Sequence, residues 1–190
     1  MPLSPPAPRE HIHTRVVECR GYRREDGLWD IEGHITDVKT YGFANHFRGE
    51  MPAGTPVHDM WLRLTVDDRL EIHAVEAATE ASPYAACPNV VPNFQRLRGL
   101  RLRPGFQKQV RDLLGGTEGC THLVELLGPV ATTAYQTVFP YRERQRREQP
   151  AERKPADTPR RRPSLIDSCH AFASDGEVVK RFWPGFYTGS

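Results

Sequence analysis

The chain lacks long apolar runs, a large charge of one sign and closely spaced cysteines. No stretch of its 190 residues approaches the ~20 apolar residues of a membrane-spanning helix, and the N-terminus lacks the apolar core of a signal peptide. We therefore expect a cytoplasmic protein without a membrane partner. Because 38% of the residues are hydrophobic, the chain can build a domain with a proper core, which excludes a disordered protein.

Cysteine is sparse, with four residues spread along the chain and no CxxC pair. In a chain without export features this spacing favours reduced thiols over a disulfide framework. Reduced thiols remain available as metal ligands or nucleophiles. The four are Cys19, Cys87, Cys120 and Cys169.

The net charge of +2 hides a local basic excess in residues 142–163, which hold nine basic and four acidic residues and four prolines. This composition predicts a solvated linker or long loop. No base-stacking or groove-reading motif accompanies the charge, so a nucleic-acid partner is not expected. We divide the chain into a flexible arm (1–10), a core domain (11–141), the basic linker (142–163) and a C-terminal segment (164–190) that packs back on the core.

The segment from His58 to Val75 predicts an antiparallel hairpin with its turn at 67–69. His58 shares the parity of the inward apolar residues, so its imidazole should lie at the rim of the buried face. Residues 28–38 alternate as a further strand, and 11–20 have strand character. Trp29, Ile31 and Ile35 form the apolar face of the first of these. The histidines at 11 and 13 share one side of a strand, a geometry that can bind metal, but beside a flexible arm we expect them to be surface residues.

From Ala78 onward the sequence favours helices, over 91–97, over 105–114 and from Cys120 to about Val138. Gly128-Pro129 predicts a kink, or two shorter helices. The segments 165–172 and 177–182 suggest a closing helix or hairpin. The predicted fold class is α+β, a small antiparallel sheet packed by helices on one face.

The stretch Gly119-Cys120-Thr121-His122-Leu123 places a thiol and an imidazole at the start of the last long helix. Unpaired amides and the helix dipole there favour a thiolate, the form that attacks carbonyls and binds metals. The alternative is that Cys120 is a small buried hydrophobic residue and that His122 caps or packs.

A tetrahedral metal site needs about four N, S or O ligands brought together by the fold. We predict His58, Cys87, Cys120 and His122, because each stands at the end of a predicted element. Zinc or iron are the metals expected for this mixed donor set. The alternative is separately buried thiols and hydrogen-bonded histidines.

Three further residues are candidates for catalytic roles. Glu125 lies one helical turn after His122 and, like Asp59, could shuttle a proton. Tyr84 stands beside Cys87 and could donate to an oxyanion, or merely cover the core.

The motifs His-Asp-Met-Trp (58–61), Gly-Cys-Thr-His-Leu (119–123) and Asp-Ser-Cys-His (167–170), together with Pro83-Tyr84 and Cys87, resemble an uncharacterised bacterial family catalogued as a domain of unknown function. The likeness covers nearly the whole chain, and it implies no established activity.

The succession from Asp59 through the hairpin to Cys87 and Cys120 is similar to the U-type iron–sulfur cluster assembly scaffold. That resemblance implies a small antiparallel sheet packed by helices, with cysteines converging at one end on a cluster or zinc. Cys120 matches the last cysteine and Cys87 the second, whereas Val57 and His58 occupy the region of the first. A mixed Cys/His site suits a mononuclear ion better than a cluster.

The sequence therefore predicts a zinc- or iron-dependent hydrolase or lyase that acts on a small organic acid or acyl substrate in bacterial catabolism. One alternative is a non-catalytic metal or iron–sulfur scaffold protein. A second is a metal-free enzyme with Cys120 as nucleophile and His122 nearby. Assembly into a homo-oligomer is left open.

Overall fold

The structure, a computed structural model, describes residues 3–148, 162–163 and 165–190. Its strands are β1 (His13–Arg23), β2 (Trp29–Lys39), β3 (Phe43–Asn45), β4 (Gly49–Met51), β5 (Pro56–Val66) and β6 (Ile72–Ala81). An antiparallel sheet has the order β1-β2-β5-β6, and β3 pairs with β4 in a separate hairpin. The predicted α+β class and its antiparallel sheet are confirmed.

Helices follow the sheet in the chain. A 3-10 helix spans Cys87–Leu97, α1 spans Phe106–Leu114 and α2 spans Thr121–Glu148. Residues 1–149 form one compact unit and 150–190 another, which contains α3 (Glu177–Phe182). None of the described helices combines the length and the apolar content that crossing a bilayer requires.

The core lies between the sheet and α2. Alternation along β5 buries Met60, Leu62 and Leu64 and leaves Trp61 42% exposed on the opposite face. In α2 the buried positions, which include Leu123, Leu127 and Val130, recur at helical spacing and meet the inner face of the sheet. The sequence pattern thus places the apolar face of the sheet against the apolar side of α2.

Gly33 lets α2 lie close to the sheet. A Cβ atom at this position of β2 would stand 2.5 Å from Val130 Cγ2 and 2.9 Å from Leu126 Cγ. Both side chains are fully buried, so neither can turn away into solvent. This close approach fixes the distance between the sheet and the start of α2.

Replacing Gly33 with alanine is expected to lower the free energy of unfolding by about 1 to 3 kcal/mol, because the added methyl overfills the contact between sheet and helix. Urea denaturation followed by circular dichroism measures the change. Gly128→Ala is the matched control, since its Cβ would meet only Gln107 Nε2 at 3.5 Å and alanine favours a helix. A Gly33 variant as stable as wild type would contradict this packing.

Several boundaries differ from those predicted. The helix from Thr121 continues past Pro129 and Pro140 to Glu148, so the prediction of two shorter helices is wrong. Both prolines are exposed, and burial of the opposite helix face against the sheet outweighs the local cost of a missing amide donor.

The same helix makes residues 142–148 of the predicted linker helical; residues 149–161 and 164 lie outside the described residues. The segment between β2 and β5 contains the β3–β4 hairpin, and β6 runs on to Ala81. In the closing segment, the helical alternative holds for Glu177–Phe182. The packing of 164–190 on the core stays a prediction.

Candidate metal centre

Strand register builds the first half of the site. Arg15 of β1 stands directly opposite Asp37 of β2, which in turn stands opposite His58 of β5. Because cross-strand neighbours project to the same side of a sheet, the three side chains form a row on the face that α2 covers. Asp37 is only 1% exposed, near the end of an otherwise apolar strand face.

Hydrogen bonds surround the Asp37 carboxylate. Arg15 donates from Nε to Oδ1 at 2.8 Å and from Nη2 to Oδ2 at 2.9 Å. His13 Nε2 lies 2.9 Å from Oδ1, and His58 Nδ1 lies 3.0 Å from Oδ2. A buried carboxylate requires such partners, and the bidentate Arg15 contact fixes its orientation.

Burial alone would raise the pKa of Asp37, but hydrogen bonds from Arg15 and His13 and the positive charge of Arg15 outweigh it and lower the pKa to about 2. Arg15 in turn donates from Nη1 to Glu125 at 3.0 Å, and its own pKa is raised, chiefly by the hydrogen bond to Asp37. Asp37 is therefore an anion throughout the neutral range.

The start of α2 supplies the second half of the site. Its His122 ring lies over the His58 ring, with centroids 3.7 Å apart, and its Nε2 is 3.9 Å from Asp37 Oδ2. Burial lowers the pKa of both histidines; the charge of His122 adds to this for His58, and the charge of Arg15 for His122. Both imidazoles are thus kept neutral near pH 7, the form that binds metals.

Cys120 immediately precedes the helix, and its carbonyl accepts the hydrogen bond of Val124 N at 2.9 Å. Its Sγ lies 4.0 Å from His122 Nδ1 and 3.8 Å from Met60 Sδ. The two nitrogens of His122 therefore face different groups, Nε2 towards Asp37 and Nδ1 towards Cys120.

A pocket of about 270 Å³ lies beside this cluster. It is lined by the four predicted metal ligands His58, Cys87, Cys120 and His122, by the predicted oxyanion donor Tyr84, and by Pro83, Val90, Gly119 and Thr121. The fold thus brings all four predicted ligands to one cavity, although they come from a strand, a 3-10 helix and the start of α2.

Among the residues that the structure describes, Asp37, His58 and His122 form a group of donors in which one ligand atom of each lies within 4.8 Å of the other two. Ligands at about 2.1 Å from a tetrahedral ion stand roughly 3.4 Å apart. The separations of Asp37 Oδ2 from His58 Nδ1 (3.0 Å) and from His122 Nε2 (3.9 Å) bracket that value. Two neutral imidazoles and a carboxylate suit zinc or iron.

The other two predicted catalytic residues lie away from this pocket. Asp59 projects to the opposite face of β5, where its Oδ1 is 2.7 Å from His34 Nε2. Glu125 is exposed, and its carboxylate is joined to the cluster by its ion pair with Arg15. Of these two residues, Glu125 is therefore hydrogen-bonded to a residue of the site, whereas Asp59 lies on the other face of the sheet.

Sequence reasoning missed Asp37, Arg15 and His13. His13 lies at the surface as expected, with its side chain 40% exposed, and its ring also contacts the buried Asp37 carboxylate. Asp37 has the parity of Ile31 and Ile35, and a carboxylate that continues an apolar strand face is the signal that could have identified it.

A family model described as "Protein of unknown function (DUF2889)" matches residues 13–136, a range that contains the whole cluster and the pocket lining. No curated protein and no solved structure matches the chain.

Proposed function

The chain belongs to the DUF2889 family of unknown function, and we propose that it is a metal-dependent enzyme whose zinc or iron ion is held by Asp37, His58 and His122. The observation that carries the proposal is the convergence of these three donors, two of them neutral imidazoles and one a buried anion, beside a pocket. Three protein ligands leave a coordination position open, as in catalytic rather than structural sites.

Arg15 and His13 support this donor set through their contacts with the Asp37 carboxylate. They hold Asp37 ionised and oriented at two oxygens, the role that outer hydrogen-bond partners have around metal ligands. Glu125 accepts a hydrogen bond from Nη1 of Arg15 and so helps to orient the guanidinium group. We expect Arg15 to act as a positioning residue for Asp37.

The pocket suggests a small substrate. Its volume of about 270 Å³ is below that of typical drug-sized sites. We propose a small organic acid or acyl compound, whose apolar part contacts Pro83 and Val90 and whose developing oxyanion accepts a hydrogen bond from Tyr84. A bound zinc or iron ion would polarise the carbonyl or activate water. We place this reaction in the bacterial cytoplasm, where Cys87 and Cys120 would stay reduced.

A second candidate is a metal-free enzyme with Cys120 as nucleophile. It is favoured by the succession of Cys120 Sγ, His122 and Asp37, with 4.0 Å from thiol to Nδ1 and 3.9 Å from Nε2 to Oδ2. In this chemistry His122 takes the thiol proton and Asp37 stabilises the imidazolium, while the thiolate attacks the acyl carbon. The bond to the leaving group then breaks, the leaving group takes the proton from His122, and water hydrolyses the resulting thioester to release the acid and the free thiol.

Elemental analysis by plasma mass spectrometry of the untagged protein, purified anaerobically without chelator, tests the proposal. We expect about one zinc or iron per chain, and little in His58→Gln. His73→Gln is the control, because His73 is an exposed histidine of β6 that contacts Asp67 instead. Absence of metal from wild type would favour the nucleophile, and a charge-transfer band in the absorption spectrum would favour the cluster scaffold.

A further inference from the structure

Strand β1 leaves one side of its backbone free for another strand. It forms an edge of the sheet, and within the described part of the chain only β2 pairs with it. Thr40 N donates to Ile12 O, so even-numbered residues face β2 and odd-numbered ones, such as Val17 and Cys19, direct their backbone groups outward. Long exposed edges invite pairing with another chain.

This edge lacks two of the features that commonly protect edge strands, proline and a bulge. Its eleven residues contain no proline, and the pairing with β2 runs from His13 to Arg23 without a bulge. Val16 is 50% exposed, Val17 43% and Tyr22 42%. A regular strand with half-exposed apolar side chains is the kind of edge that a partner strand covers.

We propose that β1 pairs antiparallel with β1 of a second copy of this chain, about a two-fold axis at Cys19. The two sheets then continue into one across the axis. Such a contact is self-complementary, as the interface of a two-fold dimer must be.

Charge selects this register. Centred on Cys19, the pairing places Glu18 opposite the partner's Arg20, and Arg20 opposite the partner's Glu18. Within one chain Arg20 already donates to Glu18 at 2.6 and 2.8 Å, so the dimer would hold an alternating cluster of four charges. A shift of one residue either way sets Glu18 or Arg20 against its own copy, and like charges directly opposite are unfavourable.

The apolar residues agree with the same register. Val16 meets the partner's Tyr22, a β-branched and aromatic pair of the kind that stabilises antiparallel strands. These even-numbered pairs do not share hydrogen bonds across the new contact, which is the arrangement in which opposed side chains come closest.

The side chains on the sheet face that α2 covers are also compatible with this pairing of two β1 strands. Arg15 would oppose the partner's Arg23, but Arg15 is directed to Asp37 and Glu125, and Arg23 lies over the Tyr141 ring. Along α2, residues 128–141 carry no charge, so this part of the helix brings no charge repulsion to the second copy.

Sedimentation equilibrium of the full chain tests the dimer by charge exchange. Glu18→Arg sets arginines opposite each other twice and should weaken dimerisation at least about tenfold. The double variant Glu18→Arg/Arg20→Glu restores opposite charges and should return the dissociation constant to within a few fold of wild type. A monomeric wild type across the micromolar range, or a dimer that Glu18→Arg leaves unchanged, would overturn the proposal.

Oxidative cross-linking tests the axis itself. Hydrogen-bonded antiparallel residues have Cα atoms about 5.5 Å apart, within the range that a disulfide spans. In a Cys169→Ser background, which removes an exposed thiol, diamide should yield a dimer linked through Cys19 on peptide mapping, and none with Cys19→Ser added. A cross-link formed as readily in the Glu18→Arg variant would count against this register.

Discussion

Asp37→Asn is expected to lower the free energy of unfolding of the metal-free protein by about 2 kcal/mol at pH 7. The carboxylate is 1% exposed and its pKa is lowered to about 2, from the ordinary 3.8. A shift of that size corresponds to about 2 kcal/mol of stabilisation of the folded state when the group is ionised. The amide removes the charge that Arg15 and His13 contact.

The same substitution should alter the pH dependence of stability. Because the folded-state pKa of Asp37 is lower than its unfolded value, its contribution is present above pH 3.8 and is lost as the pH falls from 3.8 towards 2. The difference in unfolding free energy between wild type and Asp37→Asn should therefore be constant in the neutral range and shrink below pH 4. Urea denaturation in EDTA, at a series of pH values, measures it.

Asp112→Asn is the matched control. Asp112 is exposed and pairs with Lys108 one helical turn away, so its loss should cost less than about 0.5 kcal/mol. Equal effects of the two substitutions, or a difference for Asp37 that persists to pH 2, would show that the Asp37 charge is not held by its neighbours.

The sheet was predictable because two-residue periodicity is local information. Alternation of Met60, Leu62 and Leu64 fixes the buried face of β5, and the same parity correctly placed His58 at the rim of that face. Helix ends were less predictable. Pro129 signals a break by its local chemistry, yet the buried face of α2 carries the helix through it.

The site was predictable only in part, for a similar reason. Cys120 and His122 are visible in the sequence since a glycine-rich loop precedes an apolar helix. The contacts of Asp37 depend on pairing between strands far apart in the chain, namely its register with Arg15 and with His58. A single sequence shows that Asp37 has the parity of the apolar face of its strand, but it does not show which residues of other strands contact it.

Cys120→Ser and His122→Gln are expected to have very different effects on zinc binding. A histidine binds a metal through one nitrogen, and in His122 the nitrogen near Asp37 is Nε2, whereas Nδ1 faces Cys120. If the ion lies between Asp37, His58 and His122, the thiol is not required. Cys120→Ser should then keep the zinc affinity within about tenfold, and His122→Gln should reduce it about 100-fold or more.

Competition with a chromophoric zinc chelator measures both affinities at pH 7. Cys87→Ser tests the other thiol of the pocket, and Cys169→Ser is the control for a cysteine outside it. If Cys120→Ser loses zinc as completely as His122→Gln, the ion lies on the thiol side and Cys120 belongs to its ligands. If neither substitution changes zinc binding, rapid and selective alkylation of Cys120 by iodoacetamide would support the nucleophile, because only a thiolate reacts readily.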